Sequence, residues 1–274
     1  MARRLKLLTG LSSIALTGAL SITGCSKSEP PAPGKTVAEK PGDDNADADA
    51  PAVATGGESE GAALVDVAHD KAAFYSALQI VRGHLRAGVE LYSEGDRVLG
   101  PQHMRHPQAE ILTTLAPAFD AYGAKNIEPA LDALATAGES GAAPAEIGAL
   151  DAAALSAIAA AANASNPTLQ EKILAAAKTL TVAGDEYSVA IENDAIVNLH
   201  EYHDAYGFIA TAIGDLKLLS GADQAESNAI KAAIEQAEIA ATAAPSIHPP
   251  TSGFKPASVI YGAAARIEIA ARSF

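Results

Sequence analysis

The chain of 274 residues has no tryptophan, two methionines and one cysteine. A single cysteine leaves no partner for an internal disulfide. Aromatic residues make up only 4% of the chain, so a core must come mostly from small side chains at closely packed helices. Cations are outnumbered, with 19 Lys and Arg against 33 Asp and Glu, and the formal net charge is −14. Such a chain repels phosphate backbones, which excludes nucleic acid as a partner, and it gains no electrostatic attraction to anionic lipid. No HExxH, GxSxG, P-loop or strand–helix GxGxxG occurs. CxxCH and the Glu-x-x-His pairs of di-iron bundles are missing too. No nucleophile–base constellation is visible, and the expectation is that the protein is not an enzyme.

What is present begins with an address. Arg3, Arg4 and Lys6 precede a short apolar stretch from Leu7 to Ile22. It is too short and too rich in Ser, Thr and Gly for a good membrane span, and reads as an export signal over residues 1–24. Ile22-Thr23-Gly24-Cys25 resembles the lipobox of bacterial lipoproteins. That resemblance implies that Cys25 becomes the lipidated first residue of the mature chain. The other reading is an ordinary secretory signal with an incidental cysteine. Several acyl chains, at about 0.8 kcal/mol per buried methylene, give stable anchoring. Ser26 rather than Asp at the next position implies, by the same resemblance, the outer membrane, with the protein facing the periplasm. Residues 25–62 hold prolines, glycines and acids with almost no large apolar group. They cannot bury enough surface to offset ordering and read as a disordered tether.

Residues 63–274 read as an all-α domain. Phe74, Leu78, Val81, Leu85, Val89 and Tyr92 step by three or four and form one stripe, with Gly95 as a stop signal. Short polar connections between successive helical segments favour antiparallel neighbours, giving an up-and-down bundle of about six or seven helices. Pro107 at N1 opens the second helix, after a loop that contains GPQHMRHP. A long helix from Pro167 to Ser220 is expected to break near Gly184.

Five of the seven histidines fall in three places: His84 in mid-helix, His103 and His106 in the loop, and His200 and His203 in the long helix. His103, His106 and Glu110 can converge on one ion, with Met104 as a soft thioether that would favour Cu(I). His200 and His203, three apart on one helix, can chelate a metal together with Asp204, and Asn193 is read onto the same face. That face also carries Gly207, which lets a neighbour approach closely. His84 lies about 15 Å along its helix from the loop, so two sites are simpler than one: His103, His106 and Glu110 in the first, and His200, His203, Asp204 and His84 in the second. The structural alternatives are a polar interhelix loop and a solvated helix face. His69 and His248 read as exposed histidines without a role.

Location, helical class and alanine-rich style are similar to those of the imelysins, periplasmic helical proteins associated with iron uptake. Their HxxE pattern has only a His-x-x-x-Glu counterpart at His106 and Glu110, so no residue is carried over. The expected function is envelope metal binding or accessory metal uptake, with Cu, Zn or Fe as the ion. The expected partners are the membrane, through the lipid anchor, and an envelope protein. The alternative is a metal-free structural or partner-binding lipoprotein.

Overall fold

The computed structural model describes residues 66–274. The signal segment, Cys25 and the tether lie outside the described residues. Nine helices are present among the described residues: α1 (Lys71–Glu94), α2 (Leu99–Glu110), α3 (Leu112–Tyr122), α4 (Ile127–Glu139), α5 (Pro144–Ser165), α6 (Leu169–Ala190), α7 (Leu199–Lys217), α8 (Gln224–Ala241) and α9 (Ser258–Ala271). The only strands among the described residues are the two-residue pair β1 (Ile191–Glu192) and β2 (Ala195–Ile196). The all-α bundle expected from periodicity is the fold. The helix count is higher because two segments divide differently from the sequence reading.

Residues α6 to α9 form a four-helix unit in which α6 packs on α7 and α9, and α8 packs on α7 and α9. α1 lies against both α6 and α7 and links this unit to α2 and α5, while α4 bridges α2 and α5. Capping residues mark the ends as local chemistry demands. Asp70 accepts from the amides of Ala72 and Ala73 at the start of α1, and Gly95 closes it at φ 101°. Thr168 and Glu171 form a reciprocal capping box on α6.

The first difference from the sequence reading is at GPQHMRHP. It is helix, not loop. The connection shrinks to Gly95–Val98, with Asp96 accepting from the amides of Val98 and Leu99. Pro107 sits inside α2 rather than at its start. Its missing N–H and its bias against a helical His106 are outweighed by packing, since Gly100, Pro101, His103, Met104 and Pro107 are all buried. Glu110 therefore ends this helix and does not begin the next.

The second difference is in the long C-terminal helix. It does not break at Gly184, whose bare Cα is needed because a Cβ there would come within 2.6 Å of the Tyr261 ring. It breaks at Ala190, where Ile191 pairs with Ile196 and Glu192 with Ala195. Asn193 and Asp194 form the turn with φ of 51° and 61°, the left-handed pair that a tight hairpin requires. Asp194 then accepts from the amides of Gly253 and Phe254, which ties the loop before α9 to this hairpin. Asn193 consequently sits in a turn and not on the histidine face of α7.

Two glycine contacts set the spacing around α1. Gly83 meets Gly207 of α7 backbone to backbone: a Cβ on Gly207 would strike the Gly83 carbonyl, and the Gly83 carbonyl carbon would lie 2.9 Å from it. One turn further along α1, Gly88 meets Gly100 of α2, where a Cβ would lie 2.8 Å from the Gly100 carbonyl oxygen. Between these two contacts stands His84.

Candidate metal centre

His84 points from α1 into the space between α2 and α7 and is fully buried. The antiparallel pairing of α1 with α2, registered by Gly88 and Gly100, brings His103 level with it. α7 supplies Asp204, which lies three residues before Gly207 and is 1% exposed. Asp204 Oδ1 accepts from Nδ1 of His84 at 2.7 Å and from Nδ1 of His103 at 2.9 Å. His103 Nε2 in turn lies 3.2 Å from His203 Nδ1. The edge of the His84 ring meets Phe208 with centroids 4.9 Å apart, which walls this side of the site with an apolar face.

The other oxygen of Asp204 faces a second pair of imidazoles. His200 Nε2 is 3.6 Å and His106 Nδ1 3.9 Å from Oδ2. The same two nitrogens are 3.0 Å apart, and Glu110 Oε2 is 3.7 Å from His106 Nδ1. His200 also stacks on His103, centroids 3.8 Å apart. The side chains of this outer set are 15–21% exposed, whereas His84 and His103 have no exposure at all.

All five histidines singled out in the sequence thus meet at one place, together with Asp204 and Glu110. Sequence reading divided them into two sites because it placed His103 and His106 in a loop at the end of α1. The helical course of α2 carries them back along α1 and removes that separation. Met104 does not join them. Its sulfur faces α4, where a Cβ on Gly138 would come within 2.9 Å of it, so the soft thioether ligand is withdrawn. His69 and His248 stay apart from the cluster, exposed and paired with Asp66 and Glu94 at 2.7 Å. The close approach at Gly207 was read from sequence and is found, but its partner Gly83 and the wall residue Phe208 were not; the Gly83-His84 dipeptide and the Gly207-Phe208 pair after Asp204 were the available signals.

Electrostatics favour neutral rings at His106, His200 and His203 beside one charged carboxylate. Burial pushes His106 down to about 4, with His84 and His103 adding to the effect. Burial and the neighbouring His103 lower His200 to about 2 and His203 to about 4. Burial opposes the charge on Asp204, but the adjoining His84 and His103, which also hydrogen-bond to it, hold its carboxyl well below the usual range. A neutral imidazole is the form that ligates metals.

The geometry is compatible with a metal ion. His84, His103, His106 and Asp204 each offer one donor atom, all within 4.8 Å of one another. Donors held about 2.1 Å from one ion lie about 3.0–3.4 Å apart at cis or tetrahedral positions. The nitrogen and oxygen set without sulfur suits Fe, Zn or other borderline and hard ions better than Cu(I).

Residues 165–273 match the family described as the iron permease-associated 4-helix bundle domain. The match spans less than half of the chain and corresponds to the unit α6–α9. It is this family, and not the imelysins, that the chain resembles in sequence. His200, His203 and Asp204 lie inside the matched segment, while His84, His103, His106 and Glu110 precede it on α1 and α2. No curated protein and no solved structure matches the chain.

Proposed function

We propose that this protein binds iron in the cell envelope and serves iron passage across a membrane. The observation that carries the reading is the convergence of five imidazoles and the Asp204 carboxylate from α1, α2 and α7 in a largely buried cluster. A metal-free core rarely gathers so many ionisable rings, because each buried polar nitrogen must find a partner at the expense of apolar packing. The match of α6–α9 to an iron permease-associated domain supports iron over zinc, and the absence of sulfur ligands supports either over copper.

Attachment to the membrane is assigned to Cys25. The lipobox-like Ile22-Thr23-Gly24-Cys25 supports a lipidated terminus, and Ser26 supports outer-membrane sorting with the domain in the periplasm. α5 also has the length and apolarity of a membrane span, with a mean hydropathy of 1.5. Its Ile147, Ala154, Ile158 and Ala161 nevertheless pack inwards, so no spanning role is assigned to it.

A second reading has one observation in its favour. The 2.7 and 2.9 Å contacts of Asp204 already form a closed hydrogen-bonded set, which a purely structural or partner-binding lipoprotein could use as a core network. The two readings separate in a metal analysis of protein purified from the envelope without a His tag. Iron near or above one equivalent in the native chain, lost in the His103→Ala/His106→Ala variant, supports the metal reading. Negligible metal in both, with no uptake of added Fe(II), leaves the structural network.

A further inference from the structure

Resting on the metal-binding reading above, we infer that the cluster is a centre for two cations, bridged by the two oxygens of Asp204. The two halves of this carboxylate serve different partners. Oδ1 faces His84 and His103 on the buried side. Oδ2 faces His106 and His200 on the side nearer solvent. An aspartate whose oxygens each address their own pair of imidazoles is placed to bridge, not merely to ligate once.

Donor counting leads to the same result. Five imidazoles and two carboxylates exceed the four protein ligands of a tetrahedral ion and the six of an octahedral one. His84, His103, His106 and Asp204 lie mutually within 4.8 Å. Glu110 instead approaches His106 at 3.7 Å, and His200 Nε2 approaches it at 3.0 Å. The outer position therefore has four donors: His106 Nδ1, His200 Nε2, Glu110 Oε2 and Asp204 Oδ2. His106 Nδ1 lies 3.0–3.9 Å from the other three and His200 Nε2 3.6 Å from Asp204 Oδ2, which brackets the spacing of neighbouring ligands about 2.1 Å from one ion. The inner position has His84 Nδ1, His103 Nδ1 and Asp204 Oδ1, with His203 Nδ1 set against the far nitrogen of His103 at 3.2 Å to orient that ring. A carboxylate bridge holds two metals about 3.5–4 Å apart, the spacing of two-metal centres in general.

The inner position has three protein donors and the outer four, so the two differ in access and in charge. The outer ion gains a second carboxylate from Glu110 and sits where the rings are partly exposed. The inner ion is sealed by the Gly83–Gly207 contact and by Phe208. The outer position fills and empties first.

The experiment titrates the full chain, stripped with chelator, with Co(II) as the probe under anaerobic conditions. Bound metal is counted after desalting, and the visible and electron paramagnetic resonance spectra are followed with each equivalent. Two equivalents per chain, with the resonance of the first diminished by coupling as the second binds, is the expected result. Glu110→Gln, a change at the partly exposed rim, is expected to weaken one equivalent at least tenfold and spare the other. His84→Gln is expected to remove the inner equivalent. One equivalent in the native chain overturns the two-cation inference while leaving metal binding intact. No bound Co(II) overturns both. Two equivalents that never couple, or that Glu110→Gln leaves equally tight, also overturn the bridge.

Discussion

Gly83 and Gly207 touch through their backbones, one residue before His84 and three after Asp204. Two helices meet closely enough there for a short side chain such as aspartate to reach a histidine on the opposite helix. Gly207→Ala would place a methyl group on the Gly83 carbonyl and force α7 away from α1. A loss of about 2–3 kcal/mol in stability is expected, as for an overpacked core, together with weaker metal binding. Gly214→Ala is the control on the same helix. Nothing lies within 4 Å of a Cβ there, so the extra alanine should stabilise by about 0.5–1 kcal/mol. Urea unfolding midpoints of the two variants check this, and equal shifts in the same direction would sink the account of Gly207.

Met104 is buried with its sulfur against Gly138 of α4. Met104→Leu keeps the volume and removes the thioether. It should cost less than about 1.5 kcal/mol and leave metal content unchanged. A fall in bound metal in this variant, with the fold intact by circular dichroism, would return the sulfur to the ligand set.

The helical class was legible because the stripe from Phe74 to Tyr92 follows the helix period so plainly. All seven residues of the cluster, Asp204 included, were also legible as donor types. Their grouping was not. It depends on whether residues 99–106 are loop or helix, and two prolines within ten residues argue locally for a loop. Only the partner surfaces of α1 and α4, invisible in a local window, tip the segment to a helix. The break at Asn193-Asp194 was missed for a similar reason. A two-residue hairpin carries too little alternation to register as strand, and its turn residues are polar enough to pass for a helix surface.

Asp204 is the group on which the metal-free network closes. Asp204→Ala would leave the Nδ1 donors of His84 and His103 buried without their acceptor. A cost of about 2–4 kcal/mol is expected in metal-free protein. Asp204→Asn keeps the shape and one acceptor oxygen, so it should fold better than the alanine variant yet lose metal affinity at least tenfold. Chemical unfolding of both variants after chelator treatment separates the two effects. An alanine variant as stable as the native chain would mean that the carboxylate contributes nothing to the metal-free fold.

Acid should unfold the domain in a window set by its buried rings. His106 and His203 sit near 4 and His200 near 2 in the folded chain, against about 6.5 when unfolded. Between those values the unfolded chain binds more protons than the folded one, so stability rises with pH. The contribution of these imidazoles is complete above about pH 6.5 and is lost as pH falls towards 4 and below. The slope is at most about 1.4 kcal/mol per pH unit for each histidine. Asp204, held low in the folded state, adds a loss in the same direction, but only once pH falls to about 4 and below, where the unfolded carboxyl protonates. Urea midpoints at pH 7.5, 6 and 5 should therefore fall steadily, and a His106→Gln/His200→Gln variant should flatten the decline. Metal affinity at the outer position, by contrast, should hold level from pH 8 to 6, because His106 and His200 are already neutral throughout that range. An affinity that drops with a midpoint near pH 6.5 would show that ordinary, solvent-exposed histidines bind the metal instead.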